Sequence, residues 1–431
     1  MFKETLLDRT LYQIRKLIPK SVFAFFQPYY HTFLSYVGAI IYGFPSKSMK
    51  VIGVTGTKGK STTVYLISKI LEALRDPQGK PVGVAAIGSL GYKIKDKEWP
   101  NMLKMTMPGR FRLQKFLSEA KKAGCTFVVL EVTSEGIRQK RHLGIDFDCA
   151  VFTNLHKEHI EAHGSFENYS KAKQELFKRT SNIHVINIDD SHAESFGNFL
   201  AHKKIFYGLD RGEMRAINIK LSLDASSFDV YSTPFVLHFG GKFNIYNALA
   251  ALSVGAMYGV DLPTARPALE SINNIPGRME FVQKRPFSVV VDYAHTPDSL
   301  EAAYGALSRE LPGEKKLICV LGAAGGGRDA WKRPEFGRIA DQYCQEIILT
   351  NEDPYDEDPE KILNEVAKGI KNLSKMRYIM DRGQAIGAAI RLAQDGDIIV
   401  ITGKGSETTF AIAGGKKIPW SDRETVLSAL K

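Results

Sequence analysis

Short apolar runs recur along this chain at wide, regular spacing. Val51, Ile52 and Val54 form one, Phe127–Glu131 a second, Phe147–Asn154 a third and Ile183–Ile188 a fourth. Runs this short and this apolar read as parallel strands buried on both faces. Between them the apolar positions change to a helical period, as in Tyr65, Leu66, Ile70, Leu71 and Leu74, and in Phe111–Ala123 and Phe166–Arg179. This alternation predicts a doubly wound α/β domain over residues 49–276. Val289–Asp292, Leu317–Leu321, Glu346–Thr350 and Ile398–Thr402 repeat the strand form. Helical stretches at Ser299–Leu311, Pro334–Tyr343, Pro359–Ile370 and Arg382–Ala393 lie among them. A second, Rossmann-like α/β unit is predicted over residues 277–431, after a turn signal at Pro276–Gly277. Functional groups in such sheets gather at the carboxyl ends of strands, where Lys60, Glu131 and Asn154 fall.

Residues 1–48 break the pattern and predict a short helical segment. Leu6–Ile18 is helical in period, with Arg9, Arg15 and Lys16 on its polar side. Ser21–Ser46 has no Asp, Glu, Lys or Arg and is rich in aromatics. Three readings stay open: helices packed on the next domain or on a second protein, peripheral contact with a membrane, or a span. Pro28, Gln27 and His31 interrupt a clean span.

Hydrophobic content of 44% with 24% charged residues describes a globular chain, not a disordered one. The net charge of +11 suits an anionic partner. No dense Lys/Arg block singles out nucleic acid. Cys125, Cys149, Cys319 and Cys344 are scattered with no C-x-x-C, so neither a zinc site nor a disulfide framework is expected. With no cleavable signal evident, a cytoplasmic location is expected, with peripheral contact at the inner face of the membrane left open.

The chemistry begins at Val51–Thr63, VIGVTGTKGKSTT. An apolar strand, a glycine-rich turn, Lys-Ser and a helix make a phosphate-binding arrangement. The spacing is T-G-T-x-G-K-S, because Val54 stands where the longer motif has its first glycine. Backbone N–H groups from Gly56, Thr57, Lys58 and Gly59 to Thr62 would cradle phosphate. Lys60 would reach the β/γ-phosphates, and the Ser61 hydroxyl would ligate Mg²⁺. Glu131 offers a hard oxygen ligand for the same cation, although alone it reads equally as a helix-capping acid. His156, His159 and His163 cluster in LHKEHIEAHG, where metal ligation and plain surface polarity both remain open. The glycines in Leu317–Asp329 lack G-x-G-x-x-G spacing, so a dinucleotide fingerprint is rejected.

Taken together, several stretches resemble the Mur ligases, especially those that add the third residue of the muramoyl peptide. They are Thr55–Thr62, Glu131–Arg141, Val151–Gly164, Asn168–Phe177, Phe243–Ala251, Gly277–Glu280, Asp292–Asp298 and Gly403–Glu407. The resemblance implies an ATP- and Mg²⁺-dependent ligase that joins an amino acid to a muramoyl-peptide-type carboxylate through an acyl phosphate. It implies catalytic roles for Lys60, His159 and Lys173, with Lys173 carbamylated. It implies Mg²⁺ ligation by Ser61, Glu131, His159 and Lys173. Asn247, Arg278, Asp292, Tyr293 and His295 match its ATP positions, and Thr106, Thr133, Gln139 and Arg141 its acceptor positions.

Arg328, Arg333, Glu352, Asp353, Gly403 and Glu407 are the candidates for the incoming amino acid. In the diaminopimelate enzymes the selecting loop reads D-N-P-R, whereas Glu352–Tyr355 reads EDPY. With no arginine there, a basic amino acid such as lysine or ornithine is expected ahead of diaminopimelate. Some fifty residues precede the loop, where the family carries a uridine-binding domain. The acceptor's UDP end is therefore expected to be bound differently, or to be absent. Other readings are a folylpolyglutamate-type ligase and a non-catalytic nucleotide-binding scaffold.

Overall fold

The computed structural model describes residues 20–431 except 104, 159–162, 223, 312 and 328–329. The chain divides into two compact units. The first holds residues up to 220 with 227–236 and 242–271, and the second holds 221–226, 237–241 and 272–431.

The first unit is built on an eleven-stranded sheet. Its strands are β1 (Lys50–Thr55), β2 (Gly83–Gly88), β3 (Gly91–Ile94), β4 (Lys97–Trp99), β5 (Cys125–Glu131), β6 (Cys149–Phe152), β7 (Ile183–Asn187), β8 (Lys203–Gly208), β9 (Met214–Leu221), β10 (Ser226–Val230) and β11 (Thr233–Leu237). They lie in the order 11-10-9-8-7-6-1-5-2-3-4. The stretch from β9 through β8, β7, β6, β1 and β5 to β2 is parallel, and the β2–β3–β4 edge is antiparallel. The chain leaves β1, builds β2 and β5 on one side, and then crosses to β6 on the other. That reversal opens a crevice at the carboxyl ends of β1, β5 and β6. β1 is buried from Val51 to Thr55, and β5 from Phe127 to Glu131. Each fully buried Val, Leu or Phe side chain contributes about 1.5–3 kcal/mol relative to exposure.

Helices cover the sheet. They include α1 (Lys20–Ile41), α2 (Lys60–Leu71), α3 (Arg110–Lys122), α4 (Ser134–Arg138), α5 (Phe166–Lys178) and α6 (Lys242–Met257). α6 is buried from Asn244 to Gly255 apart from Tyr246, and a Cβ on Gly255 would stand 2.6 Å from Ile70 of α2. α1 packs on α3 through small residues: a Cβ on Gly38 would meet Gln114, Phe111 and the Arg110 carbonyl at 3.6–3.8 Å. Of the readings for this segment, packing on the α/β domain that follows it in sequence is the one seen for its second half, within the first unit. No described helix is long and apolar enough to cross a membrane.

The second unit carries a six-stranded sheet of β12 (Glu280–Gln283), β13 (Ser288–Val291), β14 (Leu317–Leu321), β15 (Glu346–Leu349), β16 (Met376–Tyr378) and β17 (Ile398–Ile401), in the order 12-13-17-14-15-16. All but β12 run parallel. Its helices include α7 (Lys332–Tyr343), α8 (Pro359–Ala367), α9 (Arg382–Leu392) and α10 (Asp422–Ala429).

One expectation fails here. Cys319 on β14 and Cys344 just past α7 form a disulfide, with their Cα atoms 6.2 Å apart. Parallel pairing of β14 with β15 brings these residues together although 25 positions separate them in sequence. Cys125 and Cys149 are free and buried.

Candidate active site

The loop from β1 to α2 is pinned from β6. Thr57 N donates to Asn154 O (2.9 Å), Lys58 N to Asn154 Oδ1 (2.8 Å), and Thr153 Oγ1 to Lys58 O (2.7 Å). Two glycines are required. Gly56 has φ +150°, and a Cβ there would fall 1.9 Å from Thr153 Oγ1. Gly59, at φ +79°, precedes the first residue of α2, and its Cβ would fall 2.3 Å from Asn247 Oδ1. Asn247, on α6, thus buttresses the loop and accepts from Thr63 Oγ1 at 3.3 Å. Lys60 Nζ folds back to Thr57 O at 2.8 Å. Thr62 is buried in the first turn of α2. The N–H groups at a helix N-terminus carry partial positive charge suited to phosphate.

Beside the loop, Ser61 Oγ donates to Glu131 Oε2 at 2.9 Å, and Ser89 N donates to the same oxygen at 2.8 Å. Glu131 is 3% exposed. A hydroxyl and a carboxylate so close together fit a hard cation. Among the described residues no group of three or more His, Cys, Asp or Glu side chains is placed to hold a metal. His159 lies outside the described residues.

Lys173, on α5, is 2% exposed; its Nζ donates to Gly56 O at 2.6 Å and stands 4.5 Å from the centroid of the Tyr169 ring. Burial, reinforced by the positive Lys60, pushes its pKa well below the ordinary lysine value. The negative Glu158 and Glu131 oppose this only in part. Glu158 was not singled out in the sequence. It is 6% exposed and stands 3.9 Å from Lys58 Nζ. Its only signal was an acid beside His159 in HKEH.

The acceptor candidates group on the same side. Thr106 Oγ1 and Ser89 Oγ are 2.8 Å apart, which joins Thr106 to Glu131 through Ser89. Thr133 caps α4, accepting from Gly136 N at 3.0 Å. Arg141 Nη2 donates to Gln139 Oε1 at 2.7 Å, and its Nη1 donates to the Met107 carbonyl. His163 Nε2 meets Ser134 Oγ at 3.1 Å, so this histidine is held by α4.

In the second unit, Arg278 stacks on Tyr293, with Cζ 4.2 Å from the ring centroid, and Tyr293 OH donates to Glu407 Oε1 at 3.2 Å. Tyr293 and His295 have ring centroids 4.5 Å apart. Both oxygens of Asp292 already accept backbone donors, Met279 N at 2.7 Å and Ala294 N at 2.8 Å. Burial still pushes this carboxyl above its ordinary value.

Two amino-acid candidates differ from expectation. Asp353 is not an open charge: Lys404 Nζ reaches Asp353 Oδ1 and Glu407 Oε2 at 2.9 Å each, and Ala411 N donates to Asp353 Oδ1 at 2.7 Å. Arg333 is not an open cation. It is 4% exposed, and its Nη atoms pair with Glu357 at 2.8 Å and Glu365 at 2.7 Å. Each is committed to partners that lie far off in sequence, so spacing gave no sign of the pairing. Glu352 is buried behind Gly403, whose Cβ would fall 1.9 Å from Glu352 Oε2. Burial pushes Glu352 up to about 7, with Asp353 and Glu407 adding to the rise against Arg382 and Lys404. Arg328 lies outside the described residues.

A loop shaped for phosphates, in the crevice where strand order reverses, places this chain among the nucleotide-using α/β enzymes. The Mur ligase middle domain matches residues 54–255, and the Mur ligase, glutamate ligase domain matches 277–405. The UDP-N-acetylmuramoyl-L-alanyl-D-glutamate–2,6-diaminopimelate ligase of Syntrophomonas wolfei is 38% identical over 410 residues, covering 92% of this chain and 81% of that protein. The enzyme of that name from Synechocystis is 39% identical, covering 91% and 78%. A solved structure of a ligase so named, 33% identical, superposes with a TM-score of 0.60 over 89% of this chain and 78% of that one. Mycobacterium tuberculosis folylpolyglutamate synthase, 19% identical, shares the fold at a TM-score of 0.70 over 86% of this chain and 92% of that one. The chain belongs to the Mur ligase family, the ATP-dependent ligases of peptidoglycan precursors.

Proposed function

We propose that this ligase adds the third residue to a muramoyl-dipeptide acceptor. The observation that carries the reading is the crevice itself: phosphate loop, Ser61–Glu131 oxygen pair and buried Lys173 amine joined by hydrogen bonds. An acceptor carboxylate oxygen attacks the γ-phosphorus of ATP, the β–γ bridging bond breaks, and ADP leaves. The nitrogen of the incoming amino acid, present as free amine, then attacks the acyl carbon. The carbon–oxygen bond to phosphate breaks, an amide forms, and the amine proton passes to solvent. Positioning and charge neutralisation are the main demands of the first step. Lys60 and the start of α2 answer them at the phosphates.

Ser61 and Glu131 would hold a Mg²⁺ ion, with His159 and a carbamate on Lys173 as further ligands. The cation, when bound, neutralises phosphate charge. Lys173 is suited to carbamylation because only a neutral amine adds to CO₂, and its burial favours that form. In the second unit Arg278, Asp292, Tyr293 and His295 would serve the nucleotide. Gly403, Glu407 and Glu352 would meet an amino acid with a distal amine. With Arg333 committed to two glutamates and no arginine in Glu352–Tyr355, lysine or ornithine is favoured over diaminopimelate.

The test is phosphate release and product mass with a muramoyl-dipeptide acceptor and each amino acid in turn. Lysine or ornithine should give the highest kcat/KM. A preference for diaminopimelate would overturn the amino-acid reading, and no ligation with any of them would overturn the acceptor.

A further inference from the structure

Arg110, at the first position of α3, was not singled out in the sequence. Its Nη2 donates to Gln139 O at 2.6 Å, while its Nε is buried with no hydrogen-bond partner among the described residues. Arg141 holds the same glutamine by its side chain, and its own Nε is likewise buried and unpartnered. Arg141 is 9% exposed. Two guanidinium groups therefore grip one residue, one at its backbone and one at its amide.

The nearby acid does not neutralise both. Glu135 Oε1 accepts from Gln139 Nε2 at 2.6 Å and from Arg138 at 3.0 Å, and its Oε2 pairs with Arg138 at 2.8 Å. Burial, together with the positive Arg141, pushes Arg110 down to about 10, and burial lowers Arg141 as well. Paired cations out of water are costly unless an anion joins them. A planar fork of donors matches carboxylate and phosphate. The pair also sits on a polar path to the phosphate loop. Arg141 holds the Met107 carbonyl, and neighbouring Thr106 leads through Ser89 to Glu131 and Ser61. α1 packs against the start of α3 here, where a Cβ on Gly38 would stand 3.8 Å from the Arg110 carbonyl.

We propose that Arg110 and Arg141 clamp a second oxyanion of the acceptor, distinct from the carboxylate that reacts. The inference rests on the muramoyl-acceptor reading above. Two groups of such an acceptor have this chemistry, its non-reacting carboxylate and its diphosphate.

The test is steady-state kinetics of the full chain on three acceptors: complete, lacking UDP, and with the non-reacting carboxylate amidated. Arg110→Gln keeps a donor and most of the stem but loses the charge; Arg110→Lys keeps the charge. On the complete acceptor R110Q should raise the acceptor KM roughly 10- to 100-fold, as expected for one charge-assisted bond. Its kcat and its KM for ATP should stay near wild type, and R110K should recover part of the loss. The penalty should vanish on whichever truncated acceptor lacks the clamped anion, which identifies the source. An unchanged KM, or an equal penalty on all three acceptors, overturns the clamp and leaves Arg110 a support for Gln139. No wild-type turnover on any acceptor would instead remove the acceptor reading, and the clamp with it.

Discussion

Gly59→Ala is the most informative perturbation of the phosphate loop, because its cost can be assembled from named contacts. The residue has φ +79°, and its Cβ would fall 2.3 Å from Asn247 Oδ1 and 3.2 Å from Asn247 Cγ. Holding alanine in the left-handed region costs roughly 1–2 kcal/mol. Forcing Asn247 aside in a packed site adds about 1–3 kcal/mol. Displacing Asn247 also breaks its bond from Thr63 Oγ1, worth about 1 kcal/mol. The expected destabilisation of the first unit is therefore about 3–6 kcal/mol, with loss of ATP affinity. Asn247→Ala alone should cost about 1–2 kcal/mol through its bonds to Thr63 and Asn244. On that background only the backbone term remains, so G59A should then cost roughly 1–2 kcal/mol. Urea denaturation followed by circular dichroism measures all four corners of the cycle. A G59A cost below about 0.5 kcal/mol, or no relief from N247A, would refute the buttress.

Three further outcomes are expected. Lys60→Ala should lower kcat at least ~100-fold while the melting temperature moves only a few degrees, since Lys60 Nζ bonds only to Thr57 O among the described residues; wild-type turnover in the variant would remove the phosphate assignment. Lys173→Ala should be inactive and partly rescued by short carboxylic acids, and rescue by short amines instead would show that the charge of lysine, not a carbamate, is needed. Glu352 has a folded pKa of about 7, above the ordinary 4.5, so its contribution to stability is full below about 4.5 and lost as pH rises through about 7. Glu352→Gln should therefore gain on wild type by about 3 kcal/mol between pH 4.5 and pH 8 in urea denaturation; parallel stability curves would contradict the raised value.

The parallel core was legible because runs such as Val51–Val54 and Leu317–Leu321 are apolar at every position, which leaves little choice but a strand buried on both faces. The loop was legible for a similar reason: glycines, Lys60 and Ser61 are adjacent in sequence as well as in space. Other elements gave weaker signals. β2 reads GVAAIG, too small and glycine-rich to stand out, and α6 is buried nearly all round, so it has little polar face to set a period. The site residues that surprised depend on distant partners. Arg333 meets Glu357 and Glu365 from α8 and the turn before it, Lys404 ties Asp353 to Glu407, and Arg110 meets Arg141 over Gln139. No spacing rule reports contacts of that kind. Helices of the second unit were readable to within a few residues, because α7 and α8 bury one face and leave the other wet.

The central claim is that the acceptor carboxylate is activated as an acyl phosphate before the amine attacks. The most direct measurement uses an acceptor whose reacting carboxylate carries ¹⁸O, with ATP and the amino acid, and mass analysis of the phosphate released. The mechanism moves one carboxylate oxygen into phosphate for each amide formed, so one ¹⁸O should appear per product molecule. Unlabelled phosphate accompanying full amide formation, or release of AMP and pyrophosphate, would contradict it.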